Sequence, residues 1–332
     1  IGHPVTWMGH VIRQLDDWLN IDGTDAAPRR VAGLVAALAV ILLSTEAAYL
    51  VSWLVPNGWA GLLVAGALAW PFIAFRSLSD HVRAVARPLK EGDLAGARGA
   101  VAMIVGRDPE RLDEAGVARA ALESLAENAS DGIVAPIFWG AIFGLPGIVG
   151  YKAINTLDSM IGHRTQRHAA FGWAAARIDD VANFIPARLT GLLFALTSGR
   201  FRLGVMLMLR DARLHRSPNA GWPAAAMAAA LGVRLSGPRA YADGIADEPW
   251  VNDSAPDPTP ADLARGLALY RRAMVALAAL LGLGHEALQI APLLTCECPV
   301  LAALQDPIDL GLGPARAQGG LAQRCDQASA VA

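Results

Sequence analysis

Residues 31–55 read VAGLVAALAVILLSTEAAYLVSWLV, residues 56–58 read PNG, and residues 59–75 read WAGLLVAGALAWPFIAF. The first run carries one charge, Glu46, and the second carries none. At ~1.5 Å of rise per residue, the first is long enough to cross the ~30 Å hydrocarbon layer of a bilayer. Pro56-Asn57-Gly58 is turn chemistry, so the stretch predicts a membrane hairpin. Arg29 and Arg30 precede it, Arg76 follows it, and the tight turn is uncharged. The positive-inside rule then places both ends in the cytoplasm. A buried helical hairpin of a soluble protein is the competing reading, and the span lengths argue against it.

The composition agrees with the hairpin. Of 332 residues, 54% are hydrophobic and only 17% charged, against ~25% charged in ordinary soluble chains. Disorder, a collagen-like repeat and a disulfide scaffold are excluded. The formal charge of −2 excludes a broad basic surface for nucleic acid. Cys296, Cys298 and Cys325 match neither a redox pair nor a zinc spacing, and read as free thiols. No secretory signal is visible. The first residue is Ile1 rather than methionine, so an upstream segment is expected.

Outward from the hairpin, the chain divides into four parts. Residues 1–75 form an N-terminal amphipathic segment and the hairpin. Residues 76–131 are polar, balanced in charge and helix-prone, and read as a cytosolic helical insertion, with turns at Glu91-Gly92-Asp93 and Gly106-Arg107-Asp108-Pro109. Residues 132–284 form a membrane core. It opens with the uncharged run Ile133–Tyr151, which is broken by Pro136 and Pro146 and holds Gly140-x-x-x-Gly144, a spacing that permits close helix packing. Leu189–Ser198, Leu203–Leu209 and Pro223–Val233 are apolar but too short to span alone. Ser236–Asp262 reads as a Pro/Asp-rich loop, and a last helix starts near Leu263. From His285 to Ala332 the pattern dissolves into an irregular tail. The fold class expected is all-α, a polytopic membrane protein with a cytosolic helical insertion.

Polar side chains beside apolar segments are costly and point to function, and four such clusters stand out. In the first, Glu123, Glu127 and Asp131 fall at i, i+4 and i+8 on one helix face, with Asn128 between. Like charges repel there unless a cation joins them. This suits Mg²⁺ held by one or two carboxylates and substrate phosphates; the alternative is a solvated acidic face. In the second, Asn155, Asp158 and Ser159 share a face, followed by His163 and Arg164. They suit ligands and donors for an anionic substrate better than a nucleophilic Ser–His pair, which would need a strained turn and an oxyanion hole. Interface anchoring is the plainer role for His163 and Arg164. The third holds Arg177, Asp179, Asp180, Asn183 and Arg188: paired aspartates for Mg²⁺–phosphate, and an arginine whose fork would meet phosphate or carboxylate. An internal Arg–Asp pair is the alternative. The fourth, His215-Arg216-Ser217-Pro218-Asn219-Ala220-Gly221, is a turn whose amides could cradle an anion ahead of a helix, or an ordinary connection. Neither a phosphate-binding P-loop nor a dinucleotide Gly-x-Gly-x-x-Gly motif occurs.

Read together, His3-Pro4-Val5-Thr6-Trp7-Met8-Gly9, Gly106-Arg107-Asp108, Glu123–Asp131 running into Pro136-Ile137-Phe138-Trp139, Asn155–Ser159, Phe171–Asn183 and His215–Pro223 resemble the CobD/CbiB family. These are integral-membrane adenosylcobinamide-phosphate synthases of cobalamin biosynthesis. The likeness runs from about residue 1 to 284. A hydrophobic segment usual before His-Pro-x-x-Trp is missing, and the tail matches nothing in the family. The resemblance implies a Mg²⁺-dependent amide ligase with ATP as cosubstrate. It would join adenosylcobyric acid to (R)-1-amino-2-propanol or its O-phosphate. Glu127, Asp131, Asp158, Asp179 and Asp180 are then the catalytic candidates, and Glu123, Glu127, Asp131, Asp179 and Asp180 the metal ligands. Asn128, Asn155, Ser159, His163, Arg164, Arg177, Asn183, Arg188, His215, Ser217 and Asn219 are candidates to bind substrate. The implied location is the inner membrane, with the polar insertion in the cytoplasm. Expected partners are membrane lipid and other late enzymes of the pathway, with no nucleic acid. Two rival readings remain on residues alone: an intramembrane Mg²⁺-dependent prenyl transferase using Asn128-x-x-Asp131 and Asn155-x-x-Asp158, and a non-catalytic anion-binding sensor or transporter.

Overall fold

A computed structural model describes residues 2–105, 109–163, 165–241, 244–246 and 248–295. It is almost wholly helical, as the sequence predicts. The chain divides into two compact units, residues 1–279 and residues 280–332.

Helix α1 (Pro4–Leu19) starts on a His3 cap, whose side chain accepts from the Val5 amide, with proline in its first turn. It lays Gly9 and Ile12 inward. Helix α2 (Ala26–Trp53) is the first apolar run, and α3 (Trp59–Ala69) the start of the second. The sequence pairs α2 with α3 as a hairpin, yet α2 packs chiefly on α7. The reason is side-chain size. At Gly150 of α7 an added Cβ would sit 2.7 Å from Thr45 Oγ1 of α2, so glycine there permits the close approach.

The polar stretch forms α4 (Phe75–Lys90), α5 (Leu94–Ala102) and α6 (Glu114–Ala129). Its first turn falls at Gly92, with φ of 79°. The second turn expected, at Gly106–Asp108, lies outside the described residues. This insertion does not make a core of its own. Leu78, Val82, Leu122 and Leu125 share one hydrophobic cluster with Phe194, Met227, Leu263 and Tyr270.

Helix α6 runs almost without break into α7 (Ala135–Leu157) and on to Gly162, interrupted by two single π-helical turns, Ser130–Val134 and Asp158–Gly162. The sequence spacing Gly140-x-x-x-Gly144 suggests close helix packing, but these glycines serve a kink. Gly144 has φ of 65°, Pro146 follows it, and a Cβ on Gly140 would meet Ile148 of the same segment at 2.6 Å.

Short helices follow: α8 (His168–Phe171), α9 (Trp173–Ala182), α10 (Phe184–Thr197), α11 (Phe201–Asp211) and α12 (Gly221–Leu231). The expected loop at 236–262 contains four short strands, paired antiparallel two by two; the first pair is Leu235–Ser236 with Trp250–Val251. The last helix, α13 (Pro260–Thr295), extends past His285, where the sequence pattern gave no period. Residues 296–332 lie outside the described residues, and with them all three cysteines.

Four helical stretches are long and apolar enough to cross a bilayer: Ala26–Trp53, Trp59–Lys90, Glu114–Gly162 and Pro260–Leu283. The chain is a multi-pass membrane protein of the all-α class. Large exposed apolar side chains such as Leu42, Leu43, Leu54 and Leu63 suit contact with lipid rather than water.

Candidate functional site

The two π turns place the site. A π turn inserts one extra residue and is often found where a helix carries function. Its widened ring leaves a carbonyl for an outside donor: Gly132 O accepts from the Ala74 amide at 2.9 Å. Asp131 sits in the first π turn and Asp158 in the second. The second is held open from both sides. A Cβ on Gly162 would strike the Asp158 carboxylate at 1.9 Å, and one on Gly172 would strike the Ile161 carbonyl at 1.6 Å. Glycine at both positions lets the Asp158 side chain fold over its own turn while α8 and α9 close against it.

The result is a cluster of carboxylates drawn from α6, both π turns and α9. Asp131 lies in the fields of Asp179, Glu127 and Asp158, and Asp158 in those of Asp180 and Glu127. Each of the five catalytic candidates therefore lies within electrostatic reach of another. The basic side chains facing them among the described residues include His163 beside Asp158, Lys152 beside Asp131, and Arg177, which pairs with Asp180 at 3.1 Å.

Asp179 is the most constrained member. Its Oδ2 accepts from Asn183 Nδ2 at 3.0 Å, and Asn183 Oδ1 accepts from the Tyr151 hydroxyl at 2.8 Å. Its Oδ1 is buried with no partner among the described residues. Burial first, and the Asp158 charge second, push the Asp179 carboxyl up to about 7, against the pull of Asn183. Trp139 closes this side, donating to the Ala182 carbonyl at 3.1 Å.

Beside the cluster lies a cavity of about 480 Å³, lined by His163, His168, Trp173, Arg177, Asp180, Arg216 and Ser217 among others. Of these, His168 is anchored to α1. Asp16 accepts from Asn20 at 2.7 Å and Arg167 at 3.1 Å, and lies 3.2 Å from His168 Nε2. Burial works against the Asp16 charge, but these hydrogen bonds outweigh it and hold the carboxyl below its ordinary value.

Several expectations need correction. Glu123 does not join the cluster: its carboxylate accepts from the Ser236 amide at 2.8 Å, tying α6 to the first strand. A helix face shared by i, i+4 and i+8 holds only until tertiary packing claims one member. The 217–221 turn does not offer its Asn219 and Ala220 amides to an anion, because Ser217 Oγ takes both at 3.2 Å. Asn219 is buried and donates to the Asp180 carbonyl at 2.8 Å, so it fastens this turn to α9. Arg188 stacks on Phe184 and Trp222, with its guanidinium 3.6 and 4.3 Å from their centres, and reaches Asn219. His215 Nδ1 accepts from the Ser217 amide. Asn128 donates to the Ser124 carbonyl, and Ser159 to the Asn155 carbonyl, while Asn155 accepts from Lys152. Arg164 lies outside the described residues.

Comparison with known proteins follows the same lines. A family model described as CobD/Cbib protein matches residues 1–270. The chain belongs to the CobD/CbiB family. A CobD/CbiB relative from Rhodobacter capsulatus is 65% identical over 283 residues, covering 85% of this chain and 89% of the relative. One from Brucella suis is 49% identical over 259 residues, covering 76% and 79%. One from a Sinorhizobium species is 44% identical over 286 residues, covering 84% and 88%. Each carries the name "Cobalamin biosynthesis protein CobD". No solved structure matches the chain.

Residues that the sequence reading passed over complete this CobD/CbiB site. Tyr151 and Lys152 sit where the uncharged run Ile133–Tyr151 ends, and a tyrosine and a lysine there were a usable signal. His168, Trp173 and Arg216 had none, since each meets the cavity from a separate element.

Proposed function

We propose that this protein is the amide ligase of the cobalamin pathway that joins adenosylcobyric acid to (R)-1-amino-2-propanol or its O-phosphate, at the expense of ATP. The observation that carries the reading is the cluster of Glu127, Asp131, Asp158, Asp179 and Asp180 beside a polar cavity at membrane helices. That is a site for a polyanionic substrate and a hard cation.

Donor chemistry fits Mg²⁺. The cluster offers only carboxylate oxygens, and the buried Asp179 Oδ1 lacks a partner among the described residues. Among those residues, no three His, Cys, Asp or Glu side chains gather as ligands of one ion. Magnesium keeps several waters and is commonly held by one or two carboxylates plus substrate phosphates, so a loose cluster suits it. Asp131 and Asp158, one in each π turn, are the residues that would hold it, and it would neutralise phosphate charge there.

The chemistry then runs in two displacements. An oxygen of the corrinoid propionate attacks the γ-phosphorus of ATP, the bond to ADP breaks, and an acyl phosphate forms. The amine nitrogen next attacks the acyl carbon, phosphate departs, and the nitrogen loses a proton. Asp179 suits that proton, since a base near 7 both accepts and releases it at working pH. Arg177 and Arg216, with His163, line the cavity and are suited to hold phosphate as its charge develops. We place the protein in the inner membrane with α4–α6 in the cytoplasm, where ATP is supplied, and close to other late enzymes of the pathway.

Purified protein in lipid nanodiscs, given adenosylcobyric acid, Mg²⁺-ATP and either amine, tests this. Mass spectrometry should show the amide, with one ADP released per amide, and Asp131→Asn should suppress both. Turnover of a prenyl diphosphate, or no ATP-dependent product with either amine, refutes the proposal.

A further inference from the structure

Away from the carboxylate cluster, the C-terminal ends of α10 and α12 meet α13 around a second cavity of about 320 Å³. Three arginines line it: Arg200 from the segment entering α11, and Arg265 and Arg272 from α13. The last two are seven residues apart, two turns along one helix face. Ser198 completes the polar edge.

Part of their work is structural. Helix ends leave carbonyls without intrahelical donors. Arg265 Nη2 donates to Leu231 O at 2.9 Å, Arg272 Nε to Thr197 O at 3.2 Å, and Arg200 Nη1 to Ala229 O at 3.5 Å. Gly232, left-handed at φ of 72°, closes α12, and a Cβ there would stand 3.1 Å from Arg200 Nη1. Arg265 also pairs with Asp262 at 2.5 Å.

These contacts do not exhaust the arginines. Each guanidinium has five N–H donors in a planar fork, and only one or two of each are used above. Asp262 offsets one charge, and two helix C-termini offset about half a charge each. A surplus of about one positive charge is left facing the cavity. Residues a few positions from this lining along the chain are apolar and exposed: Leu196 at 60%, Phe201 at 45% and Val275 at 69%. Arginine forks near exposed apolar side chains, in a protein that crosses a bilayer, match an anion carried on an apolar body.

We propose that this cavity binds a phosphate ester, with Arg200, Arg265 and Arg272 on its oxygens. The exposed apolar side chains favour a phospholipid headgroup whose chains lie along Leu196, Phe201 and Val275; a free phosphate is the other source of the same chemistry. The inference does not depend on the ligase reading.

Two measurements on the full chain test it. Protein extracted from vesicles of phosphatidylcholine with phosphatidylglycerol is analysed for retained lipid by native mass spectrometry, and inorganic phosphate binding is measured by calorimetry in detergent. Arg200→Gln with Arg272→Gln spares the Asp262–Arg265 pair. Arg202→Gln with Arg271→Gln removes the same charge outside the cavity wall. Retained phosphatidylglycerol should fall at least tenfold in the first double variant and stay unchanged in the second. Phosphate binding without lipid retention, lost in the first variant, supports the site with a soluble source. Equal retention in both variants, or neither ligand bound by the parent protein, overturns the proposal. Should the first variant fail to fold, Arg272→Lys alone is read: it keeps the charge and loses the fork, and retention should still drop.

Discussion

Replacing Asp179 by asparagine should make the protein more stable and less active at once. The folded state holds this carboxyl near 7, chiefly by burial and then by the Asp158 charge, whereas an unfolded chain would leave it near ~3.9. For an acid raised in this way, folding favours the protonated form. The penalty sets in above the unfolded value and is complete once pH passes the folded one. Three units correspond to about 4 kcal/mol. Water reaching the cluster from the cavity should reduce this to about 2 kcal/mol. Asparagine keeps the acceptor for Asn183 and removes the charge. In detergent at pH 8, Asp179→Asn should therefore melt higher by about 4–8 °C. The gain should shrink as pH falls from 8 to 5 and vanish near 4. Amide formation should fall by at least about 100-fold, the range for loss of a general base. A variant that melts lower than the parent at pH 8, or turns over at a similar rate, would refute the reasoning.

Three further outcomes are expected. Gly172→Ala would press a Cβ to 1.6 Å of the Ile161 carbonyl, so the second π turn should not close and the folded yield should collapse. In contrast Gly99→Ala, in open space on α5, should stabilise by about 0.5–1 kcal/mol in a denaturant titration. Asp16→Ala removes a carboxylate that Asn20, His168 and Arg167 hold below its usual range; a depressed acid stabilises above its unfolded value. Thermal melts should show a loss of about 2 kcal/mol at pH 7, narrowing as pH drops below ~4. With the three native cysteines replaced, Asn57→Cys should react with an impermeant maleimide from outside the membrane, and Glu91→Cys only after permeabilisation. The reverse pattern contradicts the proposed topology.

Much of this molecule is legible from residue order, and what is not has physical causes. Apolar runs between arginines identify α2 and the first half of α7, because bilayer thickness sets a length that few soluble helices reach. Carboxylates next to an uncharged run mark Asp131 and Asp158, since burial near lipid is too costly without purpose. The π turns that carry both residues are invisible in sequence: the second needs Gly162 and Gly172 to admit the Asp158 side chain and the Ile161 carbonyl, and periodicity averages one extra residue away. Glu123 misleads for a related reason. Its helix phase agrees with Glu127 and Asp131, but Ser236, more than a hundred residues later, supplies the amide that claims it. Arg188 and Asn219 carry the residue types of an anion site and spend them on fixing a turn. The contacts of Asp16 with Arg167 and His168 join α1 to α8 behind the cavity, and no local pattern encodes them. The last helix runs through His285, where mixed polarity hides it.

In the proposed site, carboxylates of two separate π turns serve one divalent cation. Manganese, a spin-bearing substitute for magnesium, measures this directly by electron paramagnetic resonance on the solubilised protein. With ATP present, the parent should bind about one ion, and Asp131→Asn with Asp158→Asn should abolish that signal while leaving the fold intact by circular dichroism. An unaltered manganese signal in the double variant would contradict the account, as would no bound ion in the parent.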